Sequence, residues 1–138
     1  TEALRRLARA SEAHWGYDEA FMENFDAGFN VTEDFIRRNP VYAAGERGCP
    51  AAFWGIRQDR DAWELEYFYV AEERLGRGLG KQMWEHMTGW CEKKEICRIH
   101  FVTSPQAVGF YRKMGAVRDG ETRSPVDGRP VPHFVYDV

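Results

Sequence analysis

Two adjoining segments decide the architecture: Trp63-Glu64-Leu65-Glu66-Tyr67-Phe68-Tyr69-Val70, then Arg74-Leu75-Gly76-Arg77-Gly78-Leu79-Gly80-Lys81. The first is rich in aromatic and apolar residues and reads as a strand. Strict alternation would place Trp63, Leu65, Tyr67 and Tyr69 on one face and Glu64, Glu66, Phe68 and Val70 on the other. The second segment is glycine-rich and leads into a helix with Leu79, Met83, Met87, Trp90 and Lys94 along one stripe. Arg98 to Thr103 reads as the next strand. A strand, a helix and a strand in this order predict a right-handed parallel crossover.

Working outward, Val41 to Ala44 and Ala51 to Ile56 are short apolar strands, separated by a turn over Gly45 to Pro50. Gln58 to Asp61 is a second polar turn, so three strands form an antiparallel meander before the crossover. At the start of the chain, Leu4, Leu7, Ala8, Ser11 and Trp15 share one helical face. Asp18 to Phe29 continues as helix or broken helix carrying Phe21, Met22 and Phe25. Thr32 is an expected N-cap, with Glu33 and Asp34 in the first turn and Pro40 as the stop. Downstream, Ser104 caps a helix with Pro105 at its first position and Gly115 just past its end. Ala116 to Arg118 and His133 to Val138 read as the last strands. The fold class expected is α/β, a mixed and mostly antiparallel sheet flanked by helices.

Composition narrows the function. The chain has 138 residues and is 43% hydrophobic and 30% charged, which suits one packed domain over residues 1–138 and excludes a disordered chain. A net charge of -3 and a pI of about 5.8 argue against a nucleic-acid partner, since phosphate binding needs an excess of Lys and Arg. No apolar run approaches the ~18 residues of a membrane span, so no membrane partner is expected. Cys49, Cys91 and Cys97 are odd in number and irregular in spacing, which fits reduced thiols and a cytoplasmic protein. His14, His86, His100 and His133 are scattered, so no metal site is expected.

The segment Leu75, Gly76, Arg77, Gly78, Leu79, Gly80 and Lys81 could bring backbone N–H groups and a helix N-terminus onto an anion such as a diphosphate. A flexible surface turn is the plainer alternative. A Walker A loop fits poorly, because Leu75 and Gln82 stand where it needs Gly and Ser or Thr. A dinucleotide fingerprint fails at Lys81, its third glycine position. The loop instead fits (Gln/Arg)-x-x-Gly-x-(Gly/Ala), with Gly78 and Gly80 in the small positions and Leu75 replacing the first residue.

That pattern, five residues after Val70, resembles the GNAT superfamily of acetyl-CoA-dependent N-acetyltransferases. A second motif agrees: Phe110-Tyr111-Arg112-Lys113-Met114-Gly115-Ala116 is similar to the family's helix ending before Gly-Phe or Gly-Ala. The resemblance runs from Val41 to the end and is strongest from Leu65 to Gly115. The Asn often found seven residues before the Tyr is Ser104 here, a shorter hydrogen-bonding group. The strand that the family places before its first helix has no counterpart in this sequence.

The resemblance implies direct acetyl transfer from acetyl-CoA, the co-substrate, to a primary amine of a small molecule or peptide. It also implies a splayed central strand pair. Backbone N–H groups over 76–81 would hold the diphosphate, and the edge Phe68, Tyr69 and Val70 would hold the pantetheine arm. The Val70 N–H would polarise the thioester carbonyl. Ser104, Phe110 and Tyr111 complete the implied cofactor set. Glu64 or Glu66 would take the amine proton, although a free Glu pKa of about 4.3 makes either a weak base unless partly buried or working through water. Tyr111 would protonate the thiolate if acidified, and otherwise would only hydrogen-bond the sulfur. Free pKa values of about 10 for Tyr and about 8.5 for a thiol make the transfer uphill.

In the family the acceptor lies between the first helices and the loop before the last strand. Asp18, Glu19, Glu23, Asp26, Glu33 and Asp34, with no Lys or Arg among them, could steer a cationic amine or simply form a solvated face. His14, Trp15 and Tyr17 are candidate acceptor contacts, or a staple packing the first helix on the sheet. Arg123 and Arg129 could instead hold a carboxylate or phosphate of the acceptor. The alternatives to an enzyme are a CoA-binding sensor and an interaction module without turnover. Five Trp and nine Phe make a homodimer plausible.

Overall fold

The computed structural model describes residues 1–14, 30–46, 49–71, 78–103, 107–123 and 130–138. Helix α1 (Glu2–His14) and the short α2 (Glu33–Arg38) precede a meander of β1 (Val41–Glu46), β2 (Cys49–Asp59) and β3 (Ala62–Val70). Helix α3 (Leu79–Lys93) then crosses to β4 (Arg98–Val102). Helix α4 (Val108–Lys113) and the hairpin of β5 (Val117–Arg123) and β6 (Pro130–Asp137) complete the chain. The six strands form one sheet in the order β1-β2-β3-β4-β6-β5. Among the described residues only β3 and β4 pair in parallel, as the crossover predicts, so the sheet is mixed and mostly antiparallel.

Local chemistry sets the element ends. The Thr32 hydroxyl accepts the Phe35 N–H at 3.1 Å, the expected N-cap of α2. The strands extend further than their apolar runs: pairing reaches Glu46↔Cys49 and Asp59↔Ala62, which tightens both turns. On α3 the buried residues are Met83, Trp84, Met87 and Cys91, so the apolar stripe runs through Trp84 and Cys91 rather than on to Lys94. Lys94 instead places its ammonium 5.9 Å from the Trp90 ring. The expected helix over 18–29 and the cap at Ser104 lie outside the described residues.

Two cores form, one on each side of the sheet. Leu7 and Ala8 of α1 join Val31, Phe53, Tyr67 and Ala71, with Phe35, Ile36 and Tyr69 against them. On the other side, α3 and α4 bring Met83, Trp84, Met87 and Tyr111 onto Trp54, Ile56, Leu65, Ile99, Phe101 and Phe134. No helix among the described residues is long and apolar enough to cross a membrane.

The expected alternation of β3 needs a correction. Gly55 pairs with Tyr67 but the next residue, Ile56, pairs with Leu65. Glu66 is therefore an extra residue, a β-bulge, and the faces exchange across it. Leu65, Phe68 and Val70 belong to the α3 side, whereas Tyr67 and Tyr69 belong to the α1 side. Glu64 lies opposite Arg57, and both it and Glu66 bond to Arg57, so the two acids face away from Val70.

Phe134 is fully buried and stacks on Phe101 with ring centroids 5.7 Å apart. Phe134→Ala is expected to cost about 3–5 kcal/mol, read as a lower urea midpoint with an unchanged m-value.

Candidate active site

The site begins where β3 and β4 part. Their pairing consists of Trp63↔Ile99 and Glu64↔His100, yet β3 runs on to Val70. Beyond Glu64 the β3 backbone keeps its partner β2 and loses β4, leaving an edge over Phe68, Tyr69 and Val70. Unpaired strand groups must find hydrogen bonds elsewhere, so this edge is suited to an amide-bearing ligand.

Helix α3 starts at the head of that gap. Its N-cap, Gly78, has φ +81, a conformation glycine adopts without steric cost, and its helix has no acid in the first turn. The first intrahelical bond runs from the Gln82 N–H to the Gly78 carbonyl at 3.0 Å. The N–H groups of Leu79, Gly80 and Lys81 stay outside the ladder and carry the positive end of the helix dipole. Gly80 matters for a different reason. A Cβ there would stand 3.2 Å from the Phe110 ring and 3.9 Å from the Val70 side chain. Its hydrogen lets α3 start close to both β3 and α4. Leu75, Gly76 and Arg77 lie outside the described residues, as do Ser104, Trp15, Tyr17 and Arg129; nothing is described of the His14 side chain.

Phe110 and Tyr111 approach from α4. The Phe68 ring lies 5.7 Å from Phe110 and 6.1 Å from Tyr111, and Trp84 and Phe101 enclose Tyr111 further. Burial pushes the Tyr111 hydroxyl well above the ordinary tyrosine value, with a partial offset from a hydrogen bond to Thr103. The acidified tyrosine contemplated from the sequence is therefore not what this pocket makes.

Glu64 and Glu66 sit on the α1 side, each partly exposed and each bonded to Arg57, at 2.7 and 3.0 Å. His100 shares that face beside Glu64, and its ring lies 5.8 Å from that of His133.

The sequence reading missed Glu12. The Tyr69 hydroxyl donates to Glu12 Oε1 at 2.9 Å, and the neighbouring Ser11 hydroxyl donates to the Val70 carbonyl at 3.1 Å. Together they pin the last turn of α1 to the end of β3. Burial raises the Glu12 carboxyl, and the Tyr69 bond offsets this in part. Tyr69 is itself raised far above its ordinary value, by burial first and by the Glu12 charge second. Ser11 was the available signal: a hydroxyl in line with Leu4, Leu7 and Ala8 on an apolar stripe needs a polar partner.

The acetyltransferase (GNAT) family pattern matches residues 2–116, and the chain belongs to that family of acetyl-CoA-dependent N-acetyltransferases. It is thus an acyltransferase. Solved structures agree on the fold. A GCN5-related N-acetyltransferase from Rhodopseudomonas palustris superposes with a TM-score of 0.78 at 16% identity, over 99% of this chain and 89% of that one. The PaiA N-acetyltransferase of Thermoplasma acidophilum, in complex with coenzyme A, gives 0.75 at 20% identity, over 99% and 92%. The ribosomal-protein-S18-alanine N-acetyltransferase of Escherichia coli gives 0.71 at 17% identity, over 99% and 86%. No curated protein matches by sequence.

Glu12 makes a pH prediction. Its folded carboxyl is raised, so the folded state holds the proton more tightly than the unfolded chain. The stability this gives is present below the unfolded value and is lost as pH rises through the folded one. Glu12→Gln keeps an acceptor for Tyr69 and removes the titration. Its melting temperature is expected to gain on the wild type as pH rises from roughly 4 to 8, read by scanning calorimetry.

Proposed function

We propose that this chain moves an acetyl group from acetyl-CoA directly to a primary amine of a small molecule or peptide. The convergence of three features carries the reading: the unpaired end of β3, the acid-free N-terminus of α3 and the buried Tyr111 of α4. The residues fit acetyl-CoA on structural grounds. The first-turn N–H groups of α3 suit a diphosphate, and a side chain at Gly80 would fill the approach between α3, Phe110 and Val70.

When bound, acetyl-CoA supplies an acyl carbon activated by a thiolate leaving group. The residues of the chain do the rest. Phe68, Tyr69 and Val70 bind the pantetheine amides along the strand edge, and the Val70 N–H polarises the thioester carbonyl. Residues 75–81, with Ser104, hold the nucleotide end. Phe110 walls the channel. Tyr111, with its pKa raised, keeps its proton and hydrogen-bonds the sulfur rather than surrendering a proton to it. A peptide amine draws support from the alanine-acetylating enzyme named above. His14, Trp15, Tyr17 and Arg129 are the proposed acceptor contacts.

Calorimetric titration with CoA and acetyl-CoA tests the reading first. Micromolar binding is expected, together with marked loss in Gly78→Val. That substitution costs about 1–2 kcal/mol of stability, because φ +81 strains any L side chain. Tyr111→Phe is expected to lower turnover at least about tenfold while CoA affinity holds. Because burial raises Tyr111, the alkaline limb of the rate profile should be the same in wild type and Tyr111→Phe.

A further inference from the structure

We propose that Glu12, on the last turn of α1, takes the proton from the acceptor ammonium, with Tyr69 as the positioning residue that aims its carboxylate. The inference rests on the acetyl-transfer reading above and assigns within it the group that accepts the proton.

Three observations support it. The first is place. Glu12 bonds to Tyr69, the residue next to Val70, and Ser11 bonds to Val70 itself. The Glu12 charge also contributes to the upward shift of Tyr111 on α4. Glu66 and Glu64 stand four and six residues before Val70. At about 3.3 Å per strand residue they lie roughly 13 and 20 Å back along β3, too far for direct contact with an amine at Val70.

The second observation is charge. Arg57 bonds both Glu64 and Glu66, so each of these acids is already held in an ion pair. Glu12 has a neutral phenol instead. That phenol is the one donor to Glu12 among the described residues, and a carboxylate's two oxygens offer about four lone-pair sites.

The third is environment. Burial raises Glu12 toward the range where a carboxylate accepts a proton from an amine more readily. Among the described residues, the titratable groups that interact with it are Tyr69 of β3 and Tyr111 of α4, and Tyr67 in turn acts on Tyr69. The Phe53 ring of β2 lies 5.6 Å from that of Tyr69.

The step balances simply. The ammonium passes one proton to Glu12. The freed nitrogen lone pair forms the N–C bond to the acetyl carbon as the C–S bond breaks. The second nitrogen-bound proton neutralises the thiolate, and Glu12 returns its proton to solvent.

The test follows thiol release from acetyl-CoA with two probes, spermidine and an alanine-led tripeptide, across pH at saturating substrates. Glu12→Gln is expected to lower kcat at least about tenfold and to abolish the acid limb. Its melting temperature should equal or exceed the wild type's, and its CoA affinity should be unchanged. Glu12→Asp should restore part of the rate. Tyr69→Phe should move the acid limb to higher pH, because the lost O–H stabilised the carboxylate; a purely structural Tyr69 would leave the limb in place. Wild-type kcat with an unaltered acid limb in Glu12→Gln would overturn the proposal. So would CoA binding without thiol release on either probe. Failure of the underlying reading shows differently, as absence of CoA binding by the folded wild type, and it removes the proposal too.

Discussion

Everything at this site depends on β3 and β4 pairing at one end and parting at the other. A parallel pair held together along its whole length would seal the sheet. Here pairing at Trp63 and Glu64 fixes the hinge of the splay, and the bulge at Glu66 follows at once on β3. A bulge adds local twist and re-aims the residues beyond it. The end of β3 can then carry Val70 toward α3 and α4 while Tyr69 stays under α1. Both sides of the sheet reach one opening.

The opening explains why the two cores differ in polarity. The α3 side is built from interlocked rings: Trp84 contacts Phe68, Phe101, Phe110, Tyr111 and Tyr136. Such packing fixes Tyr111 at the cost of desolvating its hydroxyl, hence the upward shift of its pKa. The α1 side admits polar groups at its upper end, Ser11, Glu12 and the Tyr69 hydroxyl, and holds each with a hydrogen bond. A dry aromatic wall thus stands on one side, and a partly buried, hydrogen-bonded acid on the other.

Much of this was legible in the sequence, for identifiable reasons. Spacing acts along the chain, so Val70, Gly78, Gly80 and Tyr111 could carry the family resemblance by order and separation, and the structure brings Val70, Gly80 and Phe110 together. The parallel crossover followed from the element sequence alone. The bulge was hidden because Glu66 fits an alternating strand as well as it fits an insertion. Only the partner strand, where Gly55 and Ile56 meet Tyr67 and Leu65, shows that one residue is extra. Its consequence was large: Glu64 and Glu66 were expected to share the face of Val70, and the slip puts them on the opposite side with Arg57.

Glu12 was hidden for another reason. Its partner is 57 residues away, and no local pattern marks this helix acid as one that turns toward the sheet. An amphipathic helix normally turns its acids to solvent, and Glu12 departs from that because α1 ends against a strand whose neighbour has already left. Where a sheet closes fully, a helix packed on it meets a continuous apolar surface. Where it splays, the helix end meets unpaired backbone and a buried phenol, and polar residues become the better-packed choice. The polar end of α1 and the loss of strand pairing are thus one structural event seen from two elements. That link makes the acid at position 12 a consequence of the same geometry that opens the sheet.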